Sequence, residues 1–170
     1  MWYVIQTLAG EEETVKLMTE KYLPRDCYEK CRILYYVRKK RYRGEWHEER
    51  ERLLPGYLFL EAESPWPAWR ALKRVTKFSR LVKNKGENEI YPISQEEEAF
   101  LKRLAGDNDE IEISYGMIEG DAVRIASGGL MGMEAVIRKI DRHKRIAYIE
   151  MQIFGEAKMV QVGLEILAKQ

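Results

Sequence analysis

The order of patterns along these 170 residues predicts an α+β chain in which an α/β sandwich domain is followed by a small β-barrel. Three observations point there. The first hundred residues mix short apolar strands with segments of helical period, the last fifty hold only short alternating runs between glycines, and an acidic stretch divides the two. Residues 1–105 carry 21 basic and 17 acidic side chains, residues 106–119 carry none and 5, and residues 120–170 carry 8 and 6. These shifts place a first domain at 1–105, an acidic linker at 106–114 and a second domain at 115–170.

Trp2 to Leu8 is aromatic and β-branched and reads as a buried first strand. From Glu11 the apolar positions Val15, Met18 and Tyr22 recur at helical spacing, with three glutamates in the first turn and Pro24 as the stop. Cys31 to Arg43 and Trp46 to Leu54 are charged, aromatic extended segments that predict a long exposed hairpin turning at Gly44 and Glu45. Leu54-Pro55-Gly56 breaks the chain before Tyr57 to Glu61, an apolar run that reads as a central strand. Ser64 and Pro65 open a second helix carrying Trp66, Trp69 and Leu72, with both tryptophans expected in the core. Ser94 to Glu97 is a capping box for a third helix ending near Gly106. Beyond it, Ala122–Ala126, Ala135–Ile140, Ile146–Ile153 and Lys158–Val162 alternate as strands, and Ala147, Ile149, Met151 and Ile153 form the expected inward face.

Apolar residues make up 45% of the composition and charged residues 34%, enough for two cores under a charged surface. The apolar start at Met1 to Leu8 ends at Glu11, short of a membrane span, so a cytoplasmic protein without membrane attachment is expected. Two cysteines, Cys27 and Cys31, are too few to staple two domains and suit a reducing compartment. No catalytic set is visible. His47 and His143 read as surface histidines, and the scattered His and Cys positions do not have zinc-ligand spacing. Gly128 to Gly132 lacks the Gly-Lys-Ser/Thr ending of a phosphate loop, so no cofactor is expected.

Two basic clusters are candidates for nucleic acid. Arg138, Lys139, Arg142, His143, Lys144 and Arg145 crowd one strand pair and its turn opposite Asp141 alone, with Tyr148 outside for a base or sugar. On the hairpin, Lys39, Lys40, Arg41 and Arg43 could meet phosphates beside Tyr42. They could equally form a solvated edge, since Glu45, Glu48, Glu49 and Glu51 return alongside them.

Trp2-Tyr3-Val4, Leu54-Pro55-Gly56-Tyr57-Leu58-Phe59-Leu60 and Pro92-Ile93-Ser94 resemble the N-terminal domain of the NusG family of transcription elongation and antitermination factors. Gly120 to Ile125, Gly128 to Gly132 and Ile153-Phe154-Gly155 resemble its KOW barrel. Housekeeping members usually have Gly-Pro-Phe in the KOW loop, where this chain has Gly129 and Leu130. Gly132 with Ala135, and Arg41 to Trp46, look more like the specialised paralogues RfaH and LoaP. The resemblance implies a monomeric adaptor, not an enzyme, whose first domain grips the clamp helices of RNA polymerase through an apolar pocket at Tyr57, Phe59 and Leu81. The KOW domain would then bind RNA, with a structured leader hairpin implied by the LoaP-like features. In a general NusG it would bridge to Rho or a ribosomal protein through the loop carrying Leu130 and Met131. A ribosome-associated RNA-binding protein sharing only the KOW module is the reading from another class. The strand formers Val123, Ile125, Val136, Ile137, Ile146 and Tyr148 also predict a barrel at 112–170, not the helical hairpin of resting RfaH.

Overall fold

In the computed structural model, which describes residues 1–83 and 89–170, the chain begins with β1 (Trp2–Thr7), α1 (Glu12–Tyr22), β2 (Lys30–Arg32), β3 (Tyr35–Tyr42) and β4 (Glu45–Arg52). It continues with β5 (Tyr57–Glu61), α2 (Trp66–Leu72), β6 (Ser79–Leu81), α3 (Gln95–Ala105) and β7 (Glu110–Ile111). The last strands are β8 (Ser114–Glu119), β9 (Ala122–Ser127), β10 (Ile137–Asp141), β11 (Ile146–Ile153) and β12 (Glu156–Lys169). Two compact units result, and they do not follow chain order: Met1–Ile33 with Leu54–Glu98, and Leu34–Leu53 with Ala99–Gln170.

The first unit is built on an antiparallel sheet in the order β2-β5-β1-β6. The apolar runs of β1 and β5 suit its two central positions, where both faces of a strand are covered. Val4 lies opposite Phe59, and Ile5 lies opposite both Leu58 and Leu81, all of them buried. Helices α1 and α2 pack on each other and on strands of this sheet, burying Val15, Ala68, Ala71 and Leu72. The Leu-Pro-Gly break is held by Glu12, a fully buried carboxylate that accepts hydrogen bonds from the N–H groups of Gly10 at 2.6 Å and Gly56 at 2.9 Å. Gly56 has φ +85°, and a Cβ there would sit 2.9 Å from the Thr7 carbonyl oxygen, so glycine is required on two counts. The capping box forms as its sequence implies: Ser94 N–H donates to Glu97, and Glu97 N–H donates to the Ser94 hydroxyl.

The second unit contains the β3–β4 hairpin, with β7 pairing parallel to β3, and a five-stranded sheet in the order β10-β11-β12-β8-β9. The 14-residue β12 serves two partners. Its first half runs antiparallel to β11 and its second half parallel to β8. Ala147, Ile149, Met151 and Ile153 are buried together with Val160, Val162 and Leu164, so the period-two reading of β11 holds. Residues 112–170 contain strands and one 3₁₀ turn, and no α-helix among the described residues.

Several local expectations change. The hairpin turns at Arg43 and Gly44, not Gly44 and Glu45: both have positive φ, 53° and 77°, as a two-residue turn matching strand twist requires. The first extended segment is broken: β2 ends at Arg32 and β3 begins at Tyr35, and the intervening Ile33 and Leu34 are both buried. Residues 106–114, expected as an acidic linker, hold β7, a fully buried Ile111 and a fully buried Ser114 whose hydroxyl accepts from Leu130 N–H at 2.8 Å. The acids of that stretch alternate with the isoleucines that anchor it, and composition alone hides this.

Candidate nucleic-acid interface

The hairpin and the β10–β11 turn lie about a hundred residues apart in sequence, yet the second unit brings them together. Strand β3 crosses β12 at Gly163, where a Cβ would lie 2.3 Å from the Val37 carbonyl oxygen. Around this crossing Glu165 is shared by two cations, Lys39 at 2.9 Å and Arg145 at 3.3 Å. The hydrogen bond to Glu165 raises the Lys39 pKa against the opposing effect of burial. The Arg145 guanidinium stands 3.7 Å from the Trp46 ring centroid, and Arg38 donates to the Lys144 carbonyl at 3.1 Å. The Tyr36 hydroxyl bonds Glu51 at 2.7 Å and Gln161 at 3.3 Å, and burial pushes its pKa up. Burial also pushes Glu51 up, but the Tyr36 hydroxyl, Arg38 and Lys40 outweigh it and hold the carboxyl below its ordinary value.

Of the hairpin candidates, Lys39 is therefore engaged, and Lys40 lies between Glu49 at 3.9 Å and Glu51 at 3.4 Å. Arg41 and Arg43 are exposed and make no ion pair among the described residues. Tyr42 stacks on His47 with centroids 3.8 Å apart, so the ring meant for a base already has a partner.

The β10–β11 turn divides in the same way. Arg138 pairs with Glu150 at 2.9 Å and also donates to the Ala135 carbonyl, Arg145 is held by Glu165 and Trp46, and Lys139 sits 5.6 Å from the ring centroid of half-buried Tyr148. Arg142, His143 and Lys144 project to solvent. Asp141, their only acid in the turn, accepts the Lys144 N–H at 3.0 Å, and that bond holds its carboxyl below the ordinary value. At the KOW-like loop, Leu130 and Met131 separate. Leu130 is fully buried and belongs to the core, whereas Met131 is 60% exposed.

In the first unit, Tyr57, Phe59 and Leu81 do not form one open pocket. Phe59 is 1% exposed and packs against Trp2 at 5.6 Å between centroids. Leu81 is buried opposite Ile5, whereas Tyr57 lies opposite Gln6, so the period-two alternation of β1 places Leu81 and Tyr57 on opposite faces of the sheet. Tyr57 alone of the three is partly open.

Trp66 and Trp69, expected in the core, are 52% and 41% exposed. Helix α2 is short and turns its small residues Ala68 and Ala71 inward with Leu72, which leaves the tryptophans outside. A usable signal was present in the sequence, since residues 64–83 contain six arginines and lysines and no acid. Cys31 is buried, and burial pushes its thiol up to about 12, while Cys27 is half-buried; neither lies in a group of potential metal ligands among the described residues. No helix among the described residues is long and apolar enough to cross a membrane.

The family profile described as transcription termination factor NusG matches residues 1–102. The chain belongs to the NusG family. The transcription termination/antitermination protein NusG of Lactococcus lactis is 29% identical over 168 residues, which cover 96% of this chain and 89% of the relative. That of Borreliella burgdorferi is 26% identical, covering 99% and 97%. Among solved structures, one titled for domain interaction in Thermotoga maritima NusG aligns with 97% of this chain and 93% of its own at 26% identity, with a TM-score of 0.58. The fold is thus that of NusG, an N-terminal α/β domain followed by a β-rich C-terminal domain, and the chain is a NusG-type termination/antitermination factor. These relatives are named as transcription factors and not as enzymes.

Proposed function

We propose that this NusG-family chain is a specialised antitermination factor, working in the cytoplasm as a monomeric adaptor without a cofactor. Its N-terminal domain (1–105) docks on the clamp helices of RNA polymerase with Tyr57 at the contact. Segment 106–114 connects it to a KOW domain (115–170) that binds a structured leader RNA. Binding energy favours the elongating state over the paused one, so no bond chemistry is required. The observation that carries the RNA part is the β10–β11 turn, where Arg142, His143 and Lys144 face solvent while the turn itself occupies the carboxylate of Asp141.

Transcription in vitro through a terminator, with the protein's own leader regions upstream, tests this reading. The wild-type protein is expected to raise read-through. Tyr57→Ala is expected to reduce polymerase binding about tenfold, the usual scale for an aromatic anchor. Arg142→Ala with Lys144→Ala is expected to remove only the part of the effect that depends on the leader. Read-through that ignores both the leader and the turn would favour general NusG activity with Rho or a ribosomal protein as partner. That second reading draws support from relatives named simply NusG over nearly their whole length and from the exposed Met131.

A further inference from the structure

We propose that the outer face of α2 is a second nucleic-acid site, a stacking platform for unpaired RNA bases built on Trp66 and Trp69 with Arg70 and Lys73 for the phosphates. The two indoles stand edge to face, with centroids 6.2 Å apart and planes at 75°, so they form a corner open to solvent. An exposed tryptophan on a folded domain is uncommon, and two on one short helix leave a large apolar area uncovered. Lys73 places its ammonium 3.5 Å from the Trp69 ring centroid, and neither Lys73 nor Arg70 makes an ion pair among the described residues. Beside them opens a cleft of about 500 Å³ lined by Trp69, Leu72, Lys73, Arg80, Leu81 and Lys83, with apolar walls, a cationic rim and room for a nucleotide.

Charge complementarity selects a polyanion. Residues 64–83 hold six cations and no carboxylate; Lys77 pairs with Glu11 at 3.6 Å, while Arg70 and Lys73 of the platform make no ion pair among the described residues. The rings select unpaired bases, because a duplex presents its phosphates but hides the base faces on which an indole stacks. Among the single strands present in transcription, the transcript is the one that leaves the polymerase unpaired, and a chain of a family described as a transcription termination factor acts in the process that makes it. Single-stranded RNA is therefore the occupant. This site is separate from the β10–β11 turn and needs no polymerase to bind.

The test uses the full-length protein and a 12-nucleotide oligouridine, followed by tryptophan fluorescence and by competition. Binding with quenching is expected, together with a loss of about tenfold or more in Trp66→Ala with Trp69→Ala, the usual cost of removing stacking partners. Arg70→Ala with Lys73→Ala is expected to lower the salt slope by roughly one to two units while the quenching remains. Trp66→Phe with Trp69→Phe is expected to keep most of the affinity, which separates stacking from loss of fold. Equal affinity for an RNA duplex of the same length, tighter binding of the matching DNA strand, or unchanged affinity in the folded tryptophan-to-alanine variant would each overturn the proposal. Because no polymerase or leader hairpin is present, failure here leaves the antitermination reading standing, and failure of read-through leaves this site standing.

Discussion

Strand β3 and residues 64–83, the segment around helix α2, look alike in composition, each rich in arginine, lysine and aromatic residues, but they differ in where the compensating charge lies. Opposite Arg38, Lys39 and Tyr36 the return strand places Glu49, Glu48 and Glu51, and β12 adds Glu165, so Lys39 and Lys40 each have a carboxylate within 4 Å. Around α2 the positions three and four residues from Arg70 and Lys73 carry no acid, and Lys73 meets the Trp69 ring instead. A strand is always read against its partner, whereas a surface helix keeps whatever charge its own outer face carries. Net charge per segment therefore overstates the hairpin and understates α2.

The sharpest way to break this comparison is to pry the hairpin from its acids. Gly163→Ala places a methyl group 2.3 Å from the Val37 carbonyl oxygen, and because backbone must move, a loss of about 1–3 kcal/mol is expected on the scale of overpacking. Urea denaturation measures the loss, and Trp46 fluorescence should shift as Arg145 leaves its ring. An unchanged midpoint together with an unchanged Trp46 spectrum would mean that β3 does not bear on β12 in solution.

A smaller effect should follow from Glu165→Ala, which leaves Lys39 and Arg145 without their shared acceptor. Their side chains are 25% and 28% exposed, between the surface limit of about 0–1 kcal/mol and the buried limit of about 3–5, so a cost of about 1–2 kcal/mol is expected. Two cations are also released, so the salt slope for polyanion binding should steepen by roughly one to two units, making the hairpin behave more like α2. Glu165→Gln, which keeps an acceptor but not the charge, should recover part of the stability and none of the original slope. A slope that does not respond to either change would show that the hairpin charge was never restrained.

Most of the architecture was legible because it rests on period and punctuation. Residues Trp2 to Thr7 and Tyr57 to Glu61 read as strands from their side chains alone, and Ser94 with Glu97 marked a helix start that forms both of its bonds. What was not legible needed partners remote in sequence. Leu130 sits in a glycine-rich loop and looks available, but Ser114 draws its backbone inward. Phe59 and Leu81 carry the right chemistry for an apolar contact, yet only the pairing of β1 with β5 and β6 reveals that they occupy opposite faces. Trp66 and Trp69 were misplaced because large rings at a spacing of three suggest a core stripe, and a seven-residue helix that buries alanines contradicts that expectation.

The smallest expected effect separates the two basic regions by acid titration. Asp141 is held below its ordinary value chiefly by the hydrogen bond from Lys144 N–H, which together with the charges of Lys144, His143 and Lys139 outweighs the opposing effect of desolvation. A carboxyl depressed in the folded state lends stability above its unfolded value of about 3.9, and that contribution is lost as pH falls through the lower folded value. The Lys144 amide resonance should thus titrate with a midpoint below about 3.9, and Asp141→Asn should abolish the transition. The turn carrying Arg142 and His143 would loosen over the same window, weakening its phosphate geometry even as the net positive charge of the protein rises. Residues 64–83 carry no carboxylate of their own, so the indole N–H signals of Trp66 and Trp69 should stay flat as Lys144 moves. A Lys144 midpoint at or above the ordinary aspartate value would show that the turn is not fastened by Asp141. Indole signals that titrate with it would show that α2 has an acidic partner in solution, and the contrast between the two surfaces would fail on the α2 side.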